Sequence, residues 1–129
     1  MAGNVDNAKR AYQAFSNGDV QAATENWADD IVWDGGGQDL PGGGEHQGKD
    51  AALEVLGKAV GAWDEFTLHM DEFLEDGDTV VALGHSHLKK DGREAQLPVV
   101  HILRFEGDQL KRLQVLTDSH EAAKTLGVS

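Results

Sequence analysis

The sequence predicts an α+β domain in which helices cover one face of a curved antiparallel sheet. One change of period, at Trp63, carries this expectation. Apolar residues recur every three or four positions up to Trp63, as in helices with one buried stripe, and at every second position beyond it, as in strands. Size agrees: 129 residues with 40% apolar content make one domain, residues 1–129, with a core of its own.

Val5, Ala8, Tyr12 and Phe15 mark a first helix, begun by Asn4 and stopped by Gly18. Asp19 suits the N-cap of a short second helix reaching to about residue 27. Residues 31–34 form a brief strand, and the glycines and Pro41 within residues 35–48 make a loop. Asp50 caps a third helix whose inner stripe is Leu53, Leu56, Val60 and Trp63. Four strands follow, one through Phe66, Leu68 and Met70 and three over residues 79–89, 95–105 and 110–117. Turns at Asp91-Gly92 and Gly107-Asp108 join the last three, and a short helix over residues 119–126 ends the chain.

Composition excludes several classes of function. Eleven Lys and Arg against 23 Asp and Glu leave a net charge of −12, which repels nucleic acid and anionic membrane surfaces. The lack of cysteine removes disulfides, thiolate metal sites and cysteine nucleophiles. The N-terminus carries no signal-like apolar stretch and no aliphatic run approaches a membrane span, so a cytoplasmic protein is expected.

Register then places chemistry. With Asp91 and Gly92 at a tight turn, Ala82 faces His101, Gly84 faces Val99 and Ser86 faces Leu97. Small residues opposite an ionisable one imply a cavity for a hydrophobic small molecule. The other face, with Val81, Leu83, Val100 and Ile102, is also apolar and calls for a second subunit. A turn at Gly107-Asp108 puts Gln114 opposite His101, with Leu116 and Asp118 on the same face.

The stretches AYQAFSNGDVQAATENWADDIVW, PGGGEHQGKDA, EFLEDGDTVVALG and HILRFEGDQLKRLQVLTDSHEAAKTLG resemble the SnoaL-like, ketosteroid-isomerase-related branch of the NTF2-like superfamily, over nearly the whole chain. The resemblance implies an NTF2-like cone: a curved antiparallel sheet packed against three N-terminal helices with a short C-terminal helix, open at one end to small hydrophobic ligands. It implies a homodimer through the outer sheet face as well. His101 falls where ketosteroid isomerases carry the protonated aspartate that donates to a developing oxyanion. Asp118 matches the aspartate that SnoaL-type cyclases use as a base. The isomerase base falls on Gly35, next to Asp34, and its oxyanion tyrosine on Ala11, next to Tyr12, so true steroid isomerisation is not expected.

The sites expected are therefore His101, Asp118 and Asp34 as catalytic groups, with Tyr12, Trp33, Ser86, Leu97, Val99, Gln114 and Leu116 holding the ligand. A buried His101 stays neutral near pH 7, able to donate and accept protons in acid-base work without metal or cofactor. Each role has a plainer rival: His101 as a core histidine, Asp118 as the N-cap of a capping box completed by Glu121, and Tyr12 as packing. Two motifs are set aside. Residues 43–50 resemble a phosphate-binding loop but end in Asp50, whose carboxylate repels phosphate, and His85 with His87 lacks an evident third metal ligand. The reading is a small isomerase, cyclase or hydratase/hydrolase-type enzyme acting on a hydrophobic small molecule; its alternative is a ligand-binding or dimerisation module without chemistry.

Overall fold

In the computed structural model, which describes residues 3–36 and 40–127, the alternation of the second half becomes the inner and outer faces of one curved six-stranded sheet. The chain runs through α1 (Asn4–Ser16), α2 (Val20–Ala23), β1 (Trp27–Asp34), β2 (Glu45–Gln47), α3 (Lys49–Gly61), β3 (Glu65–Asp76), β4 (Thr79–Lys90), β5 (Arg93–Glu106), β6 (Gln109–Thr117) and α4 (Ser119–Leu126). The strand order is β2-β1-β6-β5-β4-β3, and every neighbouring pair is antiparallel except β1 with β6. Among the described residues no helix is long and apolar enough to cross a membrane.

Local chemistry sets the boundaries. Asp19 caps α2 as its sequence implies, accepting the Ala22 N–H at 3.0 Å. The helix ends at Ala23, earlier than expected: the Thr24 N–H and hydroxyl both bond the Val20 carbonyl, and Trp27 already enters β1. That strand begins with two consecutive buried residues, Trp27 and Ala28, and two exposed ones, Asp29 and Asp30. An irregular pairing with β6 between Trp27 and Val32 accounts for the missing alternation. Gly48, at φ 101°, stands at the N-cap of α3 in place of the expected Asp50. Within the glycine-rich segment expected to be loop, Glu45–Gln47 pair with the end of β1 as the edge strand β2; residues 37–39 of that segment lie outside the described residues. At the other end, Arg93 donates to the Thr125 and Leu126 carbonyls and so covers the open end of α4.

The β4–β5 hairpin keeps the expected register: Ala82 faces His101, Gly84 faces Val99 and Ser86 faces Leu97. The β5–β6 hairpin starts as expected, with Glu106 opposite Gln109 and Phe105 opposite Leu110, and then slips. Lys111 is extra, so Arg104 meets Arg112 and His101 meets Val115. A bulge of one residue reverses the parity of everything beyond it. The pair formed by Lys111 Nζ with both Asp30 carboxylate oxygens, at 2.6 and 2.7 Å, fastens the bulge to β1. This hydrogen bond holds the Asp30 carboxyl below the usual carboxylate range.

Two buried apolar clusters form on the inner face. One gathers Trp27, Ile31, Trp33, Val80, Leu103, Phe105, Leu110 and Leu113 with Ala8 of α1 and Val55 of α3. The other joins Leu88 and Leu97 to Ala122 of α4, with Trp63 and Phe66 beside them. Inward-facing residues of β4 and β5 lie between the clusters, His101 and Ser86 among them.

Gly84 departs from the cavity-lining role its position implied. A Cβ there would stand 1.9 Å from the His69 carbonyl oxygen and 2.7 Å from the Met70 Cα, so its missing side chain admits the β3 backbone. That backbone comes close where Asp71 bulges out of register, between the Met70–Gly84 and Glu72–Leu83 pairs. Gly84→Ala is expected to destabilise the fold by about 2 kcal/mol or more, with a fall in Tm of roughly 8 °C, as overpacking against backbone does. An unchanged melting curve would show that β3 shifts at no cost.

Candidate functional site

A cavity of about 210 Å³ lies between the inner face of the sheet and the helices. Strand parity sends Leu97, Val99, His101 and Leu103 of β5 into it, and the shifted register sends Leu113 and Val115 of β6. α1 contributes Asn7, Ala11, Tyr12 and Phe15, while Trp63, Trp33 and Leu68 close the sides. Arg10 and Glu25, the lining residues that carry full charges, are exposed. The interior is therefore apolar apart from a few buried polar groups.

The central one is a pair. The Tyr12 hydroxyl lies 2.7 Å from Nδ1 of His101, joining α1 to β5 across the cavity. Each residue is held by its element: Tyr12 on the inner stripe of α1 against Phe73, His101 on β5 between Ala82 and Val115. Burial pushes the Tyr12 hydroxyl far above the usual phenol range and depresses the His101 pKa to about 4, because an apolar surrounding penalises either charged form. Both groups are thus neutral at pH 7. The geometry fits the phenol O–H donating to Nδ1, with the imidazole hydrogen then on Nε2, and equally Nδ1–H donating to the phenol oxygen, with the O–H then turned to the cavity. Nε2 has no partner among the described residues, yet no sealed side-chain nitrogen or oxygen there lacks one, so Nε2 faces open cavity. In either arrangement the site offers one neutral hydrogen-bond donor inside largely apolar walls.

Of the expected ligand contacts, Tyr12, Trp33, Ser86, Leu97 and Val99 line this cavity. Trp33 is additionally fixed by its indole N–H, which donates to the Gly42 carbonyl at 2.7 Å. Gln114 and Leu116 do not line it. The Lys111 bulge turns both to the outer face, where Gln114 stands opposite Ile102 and Leu116 opposite Val100. Leu113 and Val115 take the inward places, and one signal for them was present in the sequence: Leu110, Leu113 and Val115 are spaced three and then two, a break in strict alternation.

Neither expected base reaches the cavity. Asp34 lies on the outer face, where one oxygen accepts from Arg112 at 2.9 Å and the other from the Gly36 N–H. Asp118 is the N-cap of α4, exposed, accepting the Glu121 N–H at 3.1 Å. His85 and His87 also point outward, His85 towards Asp71 at 3.4 Å and His87 against Glu94. Among the described residues no group of three or more His, Asp or Glu is placed to hold a metal ion.

The profile of the SnoaL-like domain family matches residues 8–113. No curated protein matches the chain. Among solved structures it is similar to an NTF2-like protein of unknown function from Burkholderia pseudomallei, at 26% identity and TM-score 0.90 over 99% of this chain and 100% of that one. It is similar also to TerC, co-crystallised with polyporic acid, at 21% identity and TM-score 0.87 over 95% and 97% of the two chains. A third is IdmH, a candidate polyketide cyclase from Streptomyces antibioticus, at 19% identity and TM-score 0.77 over 98% and 100%.

The buried imidazole has a measurable consequence for stability. Its pKa is about 4 in the fold and about 6.5 in an unfolded chain, so between those values the unfolded state binds more protons. Stability tied to His101 is complete above about pH 6.5 and is lost as pH falls towards 4, by up to about 3 kcal/mol. Thermal melts over this range should fall more steeply for the natural protein than for His101→Phe, and parallel curves would count against a neutral buried ring.

Proposed function

Because the chain belongs to the SnoaL-like domain family and its cavity holds one neutral His–Tyr pair, we propose that it is a small cofactor-independent enzyme of isomerase or cyclase type acting on an apolar carbonyl compound. The observation that carries this reading is the 2.7 Å bond between Tyr12 and His101 inside apolar walls. His101 Nε2–H donates to the ligand's carbonyl oxygen and stabilises the negative charge that grows there as a solvent water entering with the ligand takes the α-proton and an enolate forms; returning that proton to carbon completes the exchange. A neutral donor in a water-poor site is effective because it needs no reorganisation as charge develops. Tyr12 keeps the imidazole in the donor tautomer, and Trp33, Val99 and Val115 hold the apolar body. The similarity to a candidate polyketide cyclase agrees with this chemistry.

A binding module without catalysis is the second reading, favoured by the engagement of Asp34 and Asp118 elsewhere. One experiment separates the two. 2-Acetylnaphthalene should bind more tightly than 2-isopropylnaphthalene, which has its shape without the carbonyl. In deuterium oxide the protein should also accelerate exchange of the acetyl methyl protons, followed by NMR. His101→Phe should slow that exchange by at least about 100-fold, the usual scale of acid-base assistance. Binding without accelerated exchange supports the module; equal affinity for the two probes defeats the carbonyl reading.

We propose further that two copies pair through the outer sheet face. Val81, Leu83, Val100 and Ile102 are only half-buried there, and Leu74 and Leu116 are 51% and 44% exposed, leaving an apolar surface with polar pairs at its edge. Val100→Glu should convert a dimer to a monomer in sedimentation velocity. A natural protein that sediments as a monomer would overturn the pairing.

A further inference from the structure

We infer that Ser86 is a second contact point for the ligand, and that the ligand is an elongated one- or two-ring compound with an oxygen at each end. The inference rests on the carbonyl-binding reading for its first oxygen and adds the second. Ser86 is 6% exposed, lines the cavity, and its hydroxyl makes no hydrogen bond to any described residue. The hydroxyl is not sealed in either, since no wholly buried side-chain oxygen among those residues lacks a partner. It therefore opens on the cavity.

Its neighbours explain none of this. Ser86 stands between Leu68 of β3 and Leu97 of β5, both inward-facing and neither able to hydrogen-bond through its side chain. An alanine methyl would pack between two leucines as well as a hydroxyl does, and without the cost of drying a polar group. Something polar that enters the cavity supplies what the protein does not.

Spacing then shapes the ligand. On the inner face of β4, Ala82 is opposite His101 and Ser86 lies two inward positions further on, roughly 13 Å away at about 3.3 Å per residue. Allowing each side chain its reach and a hydrogen bond, the two ligand oxygens stand roughly 10 Å apart. The volume of about 210 Å³ falls below the roughly 300 Å³ at which drug-sized sites begin, which limits the body between the oxygens to one or two rings.

The test compares 2-acetylnaphthalene with its 6-hydroxy derivative, which adds an oxygen at the far end of the same ring system. In the natural protein the hydroxylated probe should bind about fivefold more tightly, the effect of one neutral hydrogen bond. In Ser86→Ala the ratio of the two affinities should drop to one or below. No preference in the natural protein, or a preference that survives Ser86→Ala, overturns the inference and leaves cavity water as the partner of Ser86. The carbonyl reading stands in that case so long as 2-acetylnaphthalene still outbinds 2-isopropylnaphthalene. If neither naphthalene ketone binds, both readings fall together.

Discussion

The hydrogen bond between Tyr12 and His101 is the point on which the interior depends, because it is a polar link between α1 and the sheet across a cavity whose walls are mostly apolar. Without it, each residue would leave a buried polar group unpaired, a cost that exceeds the modest net gain of the bond itself. With it, both side chains remain neutral and oriented. The bond also bridges residues 89 positions apart, so it forms only when α1 has docked on a finished β5. Order in the site and order in the fold are thus one condition.

A cavity of this kind survives because apolar burial is divided. One cluster packs Trp27, Ile31, Val80, Leu103 and Phe105 with α1 and α3, and the other packs Leu88 and Leu97 against α4. Each is dense enough to hold its own elements, so the layer between them, with Ser86 and His101, need not be filled. The short C-terminal helix matters here: Ala122 supplies the third member of the second cluster, and Arg93 ties the end of that helix back to the sheet. The layer stays open because its boundaries are solid.

How much of this was legible in the sequence follows from how local each signal is. The β4–β5 hairpin was readable because Asp91-Gly92 is a two-residue turn whose residues adopt φ of 51° and 81°, and a tight turn sets the register of every pair behind it. From that register alone His101 faces inward. Gln114 and Leu116 were misplaced for the same reason in reverse: the turn at Gly107-Asp108 was correct, but Lys111 slips the ladder three residues later and no turn rule sees a bulge. Gly84 was likewise ambiguous, since a missing side chain leaves room for ligand or for backbone, and only the β3 bulge shows that backbone takes it. The bond between Tyr12 and His101 was out of reach, because sequence places a tyrosine on a helix stripe and a histidine on a strand face without saying that they meet.

The electrostatics of the site point the same way as its shape. The chain carries a net charge of −12, and its anionic surface disfavours the approach of anionic ligands. Inside, His101 is held uncharged near neutral pH and the charged lining residues, Arg10 and Glu25, stay at the exposed edge. An ion entering such a space would lose its hydration and meet no buried counter-charge, whereas a neutral carbonyl would lose little and, on the proposed reading, meet a fixed neutral donor. On the proposed function, selection by this cavity rests on hydrogen-bond geometry and apolar fit, so the placement of single neutral groups, one imidazole and one hydroxyl, would decide what it holds.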